Sequence, residues 1–223
     1  KSVNMSKNQL SELPPKLAVW STRLTLLDLR FNRLRALPPA LAKFGAALRL
    51  ANSSLVTTVD WRSARLKWLP AEICNLPNLQ ALLVDNNQLV SLPDLSRCPQ
   101  LRVLSADNNA LTADAVPLSL RALPLLRSLS LAFNPLATLP RVVPQLAGLR
   151  KLGLRSARLP SLPAAMQSLS RLEALDLGGN SFTALPPVVP LMFANSALRT
   201  VVLDGMPQLN LTLAQLEAAL HAT

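Results

Sequence analysis

The chain has 223 residues, enough for one ordinary domain, and half of them are hydrophobic. No apolar stretch reaches the roughly 20 residues that a transmembrane helix needs, because Pro, Asn, Arg or Asp interrupts every one. Lys and Arg number 23 against 12 Asp and Glu, a formal net charge of +11. This excess of positive charge favours an acidic or polyanionic partner.

One phrase recurs from end to end of the chain: L-x-x-L-x-L-x-x-N-x-L-x-x-L-P. Its Asn position falls at Asn32, Asn87, Asn109, Asn134, Ala157 and Asn180, with steps of 22, 25, 23 and 23 residues after Asn87. A period of this length indicates a solenoid, in which no coil buries its apolar face without a neighbour. It also favours a binding surface over an active site.

Each copy of the phrase divides into two halves. The leucines of L-x-x-L-x-L alternate, which predicts a short strand with leucines inside, and stacked strands would form a parallel sheet on the concave side. The Asn amide is expected to bond backbone groups of its own and the adjacent coil. The second half, L-P-x-x-L-x-x-L, predicts a 3₁₀ or short helical return on the convex side.

The repeated phrase is irregular at several places along the chain. Only a half phrase fits near residues 45–58, where we expect an irregular coil. Ala64 and Ala157 stand at the Asn position of the phrase, which we call the ladder position, and each lies within the sequence R-S-A-R-L. The Leu-Pro pair is missing from residues 112–123. We expect a solenoid of about eight to nine coils over 1–211 and a capping helix over 212–223, where Thr212 and Gln215 have capping-box spacing. The lack of a matching cap at Lys1 suggests that further sequence precedes it.

The phrase from Leu24 to Pro38 resembles the leucine-rich repeat of intracellular proteins. Its Leu-Pro return is similar to that of Ras-pathway and cell-polarity scaffolds and of their plant relatives. The resemblance implies an α/β fold, a curved horseshoe fragment with a parallel concave sheet and short helical or 3₁₀ returns. It also implies binding of macromolecules on the concave face, and it supplies no catalytic residues or cofactor.

The residues themselves give little support to catalysis. His221 is the only histidine, there is no tyrosine, and neither a phosphate-binding glycine loop nor a His/Cys metal cluster occurs. We therefore predict no enzyme activity, no cofactor and no small-molecule substrate. Cys74 and Cys98 are predicted to be buried thiols, which favours a reducing, intracellular compartment, cytoplasmic or mitochondrial.

Basic residues are expected to form two rims that suit phosphate contacts. One rim follows the strands, and the other lies at the strand entrances. The alternative is that they only keep a leucine-rich surface soluble. The members are Arg30, Arg33, Arg35, Arg62, Arg65, Lys67, Arg155 and Arg158 for the first rim, and Arg102, Arg127, Arg150 and Lys151 for the second.

The concave face is expected to present small or apolar residues in its middle coils and charged ones elsewhere. Asp85 and Asp107 take the same position in adjacent coils, where they would bind a cation or a basic partner or would form a solvated face. Trp61 is predicted in the core, Trp68 in the convex or turn layer and Phe133 outside. The concave-face candidates are Asp28, Asp60, Leu83, Asp85, Ser105, Asp107 and Ser130.

Three functional hypotheses remain open from the sequence. The first is a non-catalytic scaffold that binds a protein partner as part of a larger assembly. The alternative is a structural subunit of a ribonucleoprotein, such as an organellar ribosome, that contacts rRNA through the basic rims. A weaker alternative is the recognition part of a larger enzyme complex.

Overall fold

The computed structural model describes residues 2–13, 26–28, 32, 48–49, 56–69, 73–74, 76, 78–195 and 197–209. Three of the predicted basic residues, Arg30, Arg33 and Arg35, lie outside these residues. The predicted capping helix over 212–223 and most of the expected irregular coil near 45–58 lie outside them as well.

Within the described residues the chain forms ten short strands in two parallel sheets. The first sheet has the order β1-β2-β3, and in the second each of β4 to β10 pairs with the next strand along the chain. The strands are β1 Ser2–Asn4, β2 Leu26–Asp28, β3 Leu48–Arg49, β4 Thr58–Asp60, β5 Ala81–Leu83, β6 Val103–Ser105, β7 Ser128–Ser130, β8 Lys151–Gly153, β9 Ala174–Asp176 and β10 Thr200–Val202.

The repeat sets the strand register. The middle residues of five successive strands pair in a line, and each of them is at most 1% exposed: Leu82, Leu104, Leu129, Leu152 and Leu175. The steps between these leucines match the steps between the ladder positions. Because each of these five strands points its middle side chain inward, the flanking two face outward.

The returns are short helices, as the Leu-Pro pattern predicts. Where the structure describes the chain, the 3₁₀ helices include Ala113–Ala115, Leu118–Ala122, Val143–Gln145 and Ala164–Ser168, and an α-helix, α1, spans Val188–Asn195. The coil between β6 and β7 has a longer step than the coils on either side of it, and two 3₁₀ helices lie within it where 112–123 lacks Leu-Pro. The extra residues of this coil are therefore taken up on the convex side, and the sheet is not interrupted.

The buried apolar side chains form one contiguous cluster from Leu13 to Met206. Trp61 is fully buried, and Cys74 and Cys98 are buried free thiols, as predicted. The prediction for Trp68 is wrong, because its side chain is 50% exposed. It lies in a bend between the buried Leu66 and Leu69, so its side chain falls outside the coil. Within the described part of the chain, no helix has the length and apolar character required to cross a bilayer.

Candidate partner-binding face

The outward residues of β4 to β10 form a continuous surface that we call the sheet face. It consists of Thr58, Asp60, Ala81, Leu83, Val103, Ser105, Ser128, Ser130, Lys151, Gly153, Ala174, Asp176, Thr200 and Val202. Most of these side chains are small, so the backbone of the sheet lies close to the surface. A second polypeptide can therefore approach closely.

An asparagine ladder fixes the turn that follows each strand. Asn134 is 1% exposed, and its amide nitrogen donates to the carbonyls of Ala106, Leu131 and Ala132 at 2.9–3.1 Å. Its oxygen accepts from the Leu111 amide in the preceding coil at 3.0 Å. The side chain thus satisfies four backbone groups in two coils, which confirms the predicted role of the Asn position.

In the two coils where alanine replaces the ladder asparagine, neighbouring residues satisfy backbone groups that the missing amide would have bonded. Asn87 and Asn180, each one coil after an alanine, accept two backbone N–H groups instead of one. The coil before Ala157 has no asparagine oxygen to accept from Leu136, and the Leu136 amide donates instead to the Asn134 carbonyl at 2.8 Å. The substituting groups are therefore protein groups.

Asp85 and Asp107 lie one coil apart in a repeated hydrogen-bonding arrangement. Oδ1 of Asp85 accepts from the Ser105 hydroxyl at 2.6 Å and from the Asp107 amide at 2.8 Å. Oδ1 of Asp107 accepts from the Ser130 hydroxyl and the Ala132 amide at the same two distances. Each carboxylate is thus anchored through one oxygen to the following coil, and its orientation is fixed.

The two carboxylates border a depression of about 390 Å³ that we call the central hollow. Its lining residues are Asp85, Asn86, Asp107, Asn108 and Phe133. The side-chain amide nitrogen of Asn108 donates to Asn86 Oδ1 at 2.8 Å, and Phe133 is 51% exposed. Asn86, Asn108 and Phe133 all precede a ladder Asn and have left-handed φ values of 57°, 51° and 55°. This backbone conformation places their side chains at the edge of the sheet.

Two basic residues of the first rim, Arg62 and Arg155, are paired with acids. Arg62 contacts Asp60 through Nε at 2.9 Å and Nη2 at 2.6 Å. This pairing lowers the pKa of Asp60 and raises that of Arg62. Arg155 contacts Asp204 at 2.5 Å and Asp176 at 3.1 Å, which raises its pKa. These two acids lie one and two coils beyond Arg155, so its sequence neighbours do not reveal them.

The remaining predicted basic residues fall into two groups. Arg150 pairs with Glu173, and Arg127 donates to the carbonyls of Pro124, Leu126 and Gly148. Among the described residues, no ion pair is found for Arg65, Lys67, Arg102, Lys151 or Arg158. The rims therefore contain both neutralised and free cations.

The other predicted concave residues are distributed as follows. Leu83, Ser105 and Ser130 lie on the sheet face and are partly exposed, whereas Asp28 is only 4% exposed. Asp28 ends β2, the middle strand of its sheet, and its side chain is not open to a partner there. A second hollow, of about 240 Å³, lies above β7 to β10 and includes Ser130, Lys151 and Gly153. No group of three metal-ligating side chains occurs in the described ranges.

The central hollow was not predicted as a unit. The sequence placed Asp85 and Asp107 in equivalent positions and Phe133 outside, but it did not bring Asn86, Asn108 and Phe133 to the same depression. The sequence did contain a signal for this grouping, because these three residues each directly precede a ladder residue. Residues at that position have a positive φ in several coils.

Known proteins resemble the chain in sequence and in fold. The family model for the leucine-rich repeat matches residues 124–182. A leucine-rich repeat and calponin homology domain-containing protein of Drosophila melanogaster is 39% identical over 140 residues, covering 62% of this chain and 16% of that protein. The geranylgeranyl transferase type-2 subunit alpha of Bos taurus is 39% identical over 92 residues, covering 40% and 14% respectively. The chain therefore matches only a small part of these curated relatives.

Solved structures show the same architecture. A leucine-rich repeat protein of Leptospira interrogans has a TM-score of 0.61 at 25% identity, over 97% of this chain and 57% of that one. A TDR receptor has a TM-score of 0.56 at 18% identity, over 91% and 34%. The repeated phrase, the parallel sheet and these similarities together identify the chain as a leucine-rich repeat protein with the solenoid fold of that class.

Proposed function

We propose that this chain is a non-catalytic interaction module that binds a protein partner across the sheet face. The observation that carries the proposal is the character of that face in its middle coils. Small side chains such as Ser105, Ser128, Ser130 and Gly153 leave the sheet open. The second hollow lies over β7 to β10, and the central hollow lies beside Asp85 and Asp107. An open face with a few fixed polar groups suits a partner segment better than it suits a small substrate.

A pair of arginine substitutions tests the proposal. Ser128→Arg places a long cation in the middle of the sheet face, whereas Gln167→Arg adds the same charge to the exposed side of the return helix Ala164–Ser168. Proteins that co-purify with the wild-type chain from cells that express it should be lost from Ser128→Arg and kept by Gln167→Arg. The affinity of the recovered partner, measured calorimetrically, should fall at least about a hundredfold for Ser128→Arg, as expected when a central interface contact is blocked. Equal recovery by both variants would exclude the sheet face as the binding surface.

RNA contact through the basic rims is the alternative, and the same experiment addresses it. Arg65, Lys67 and Arg158 support it, since no acid pairs with them among the described residues. Arg62, Arg150 and Arg155 support it less, because their charge is neutralised within the chain. Material that is released by RNase and is recovered equally with both variants would favour the ribonucleoprotein role.

Two further proposals concern the setting in which the module acts. Similarity to a segment of a transferase subunit supports the weaker alternative, a recognition part of a larger enzyme complex, and such a complex would be recovered in the same purification. The buried, unbridged Cys74 and Cys98 support a reducing compartment, cytoplasmic or mitochondrial.

A further inference from the structure

We propose that the central hollow binds a lysine or arginine side chain of the partner segment that crosses the sheet face. The inference rests on the proposed function and specifies the chemistry of the partner. It runs against the overall charge, because a chain with a net charge of +11 would then recognise a basic segment. Four features of the described residues support it.

The first feature is the set of acceptors that the hollow leaves open. One oxygen of each carboxylate, Asp85 Oδ1 and Asp107 Oδ1, is occupied by a hydroxyl and an amide. Among the described residues, no donor is found for the two Oδ2 atoms or for Asn108 Oδ1. An ammonium carries three donors and a guanidinium five, so three neighbouring acceptors fit either group. Their orientation is set before binding, which lowers the entropy lost when a partner docks.

The second feature is the distribution of charge on either side of the hollow. Arg62, one coil before Asp85, is close enough to interact with its charge, but both of its contacting nitrogens are directed to Asp60. Arg155, two coils beyond Asp107, is held by Asp176 and Asp204. Arg62 and Arg155 are therefore neutralised by other acids, and the two central carboxylates have no ion pair within the described part of the chain. A partner cation would neutralise them.

The third feature is the exposed aromatic ring beside the carboxylates. Phe133 is 51% exposed, although it follows the buried Ala132 and precedes a ladder asparagine that is 1% exposed. Asp107 and Phe133 line the same depression, so a cation bound there has an aromatic ring beside it. Cation–π attraction adds roughly 0.5–2 kcal/mol when the cation lies over the ring face. Arginine and lysine also have apolar stems that cover aromatic surface.

The fourth feature is the approach to the hollow along the sheet face. Small side chains over β6 to β8 connect the central hollow with the second hollow, which includes Lys151. Two strand spacings separate β6 from β8, about 10 Å across the sheet. Lys151 is in register with Val103, so it lies at the opposite end of the strands from Asp107. A partner segment with small residues between a basic and an acidic side chain would match this pattern, with the acidic side chain near Lys151.

The test uses a capped pentapeptide with one arginine between small residues and a second peptide with citrulline in its place. Citrulline has nearly the same shape as arginine but no charge. Titration of the full chain followed by amide NMR should give saturable shifts at Asp107, Ala132 and Phe133 with the arginine peptide. Binding of the citrulline peptide should be at least about tenfold weaker, as expected for the loss of a charge-assisted hydrogen bond.

Two protein variants separate the hollow from general electrostatic attraction. Asp107→Asn keeps an oxygen for the Ser130 and Ala132 donors and should weaken arginine-peptide binding about tenfold. Asp114→Asn removes the same charge from an exposed position in the return helix Ala113–Ala115 and should leave it unchanged. Absence of saturable shifts, equal binding of the citrulline peptide, or equal effects of the two variants would overturn the inference.

The native partner distinguishes this inference from the proposed function. If Ser128→Arg abolishes partner binding and Asp107→Asn weakens it, both stand. If Ser128→Arg abolishes it and Asp107→Asn has no effect, the sheet face binds a partner but the hollow does not take its cation. If neither substitution changes partner binding, the proposed function fails as well.

Discussion

Burial raises the pKa of the Asp107 carboxyl above its ordinary value, and the charges of Asp85 and Asp176 act in the same direction. The Ser130 hydroxyl and the Ala132 amide both donate to this carboxylate and act in the opposite direction, but burial dominates. The ionised form is therefore disfavoured in the folded chain relative to the unfolded one. An ionised carboxylate that destabilises the folded chain is typical of a binding site, where the charge serves to bind a ligand.

Replacement of Asp107 by asparagine should therefore stabilise the protein at neutral pH. A carboxyl whose pKa is higher in the folded state lowers the free energy of unfolding once it is ionised in both states. The difference between Asp107→Asn and the wild type should be largest at pH 7. It should disappear as the pH falls below the pKa of an unfolded aspartate, about 4. Urea denaturation at several pH values measures it.

Asp94 provides a control of opposite sign. The Ser96 amide donates to its carboxylate at 2.9 Å and lowers its pKa. Such a carboxyl stabilises the folded state above its unfolded pKa, and this contribution is lost as the pH falls through its folded pKa. Asp94→Asn should accordingly lower the free energy of unfolding at pH 7 and have no effect in acid. Shifts of the same sign for both variants at pH 7 would contradict this account of Asp107.

At the scale of the repeated element, the ladder asparagine connects each strand to the coil before it. Asn134→Ala should lower the free energy of unfolding by about 3 kcal/mol, because it leaves the Leu111 amide and the Leu131 carbonyl without partners. It also removes one of the two side-chain donors to the Ala106 carbonyl. Chemical denaturation with an unchanged m-value would measure the loss.

Gln88→Ala is the matched control for Asn134→Ala, since it removes an amide side chain that is exposed beside the ladder. Its effect should stay within about 0.5 kcal/mol. A loss below about 1 kcal/mol for Asn134→Ala would mean that water replaces the amide, and the ladder would then add little to the stability of each coil.

The repeated phrase was sufficient to predict the architecture of the coils, because each of its apolar positions has a single inward direction. The leucines of the strands, the 3₁₀ returns and the Asn bonds all follow from local spacing. The hydrogen bonds that compensate for Ala157 do not follow from local spacing. They depend on Asn180 accepting a second N–H and on the Leu136 amide donating to the Asn134 carbonyl. Such compensation arises between coils, and a single repeat carries no signal for it.

The candidate site was predictable only in part, for the same reason. Equivalent positions brought Asp85 and Asp107 together in the sequence analysis. The hollow depends in addition on an exposed phenyl ring in the next coil and on acids that occupy Arg62 and Arg155. The total charge of the chain favoured acidic partners, whereas the position of each charge favours a basic partner segment at the centre. Net charge alone does not describe a surface on which coils neutralise one another.

At the scale of the whole molecule, each coil contacts its neighbours, so stability should vary along the solenoid. Leu152 is 1% exposed and pairs in register with Leu129 and Leu175. Leu152→Ala should lower the free energy of unfolding by about 3 kcal/mol through the cavity that it leaves. Lys151→Ala, on the same strand but exposed, should change it by less than about 0.5 kcal/mol.

Amide hydrogen exchange measures which strands lose stability in Leu152→Ala. In a chain of nearest-neighbour contacts, Leu152→Ala should accelerate exchange most in β7 to β9 and least in β5, three strands away. Lys151→Ala should leave the exchange pattern unchanged. If exchange in β5 and β8 accelerated equally, the coils would unfold as one cooperative unit. The contiguous core, rather than the individual interfaces, would then set the stability of the solenoid.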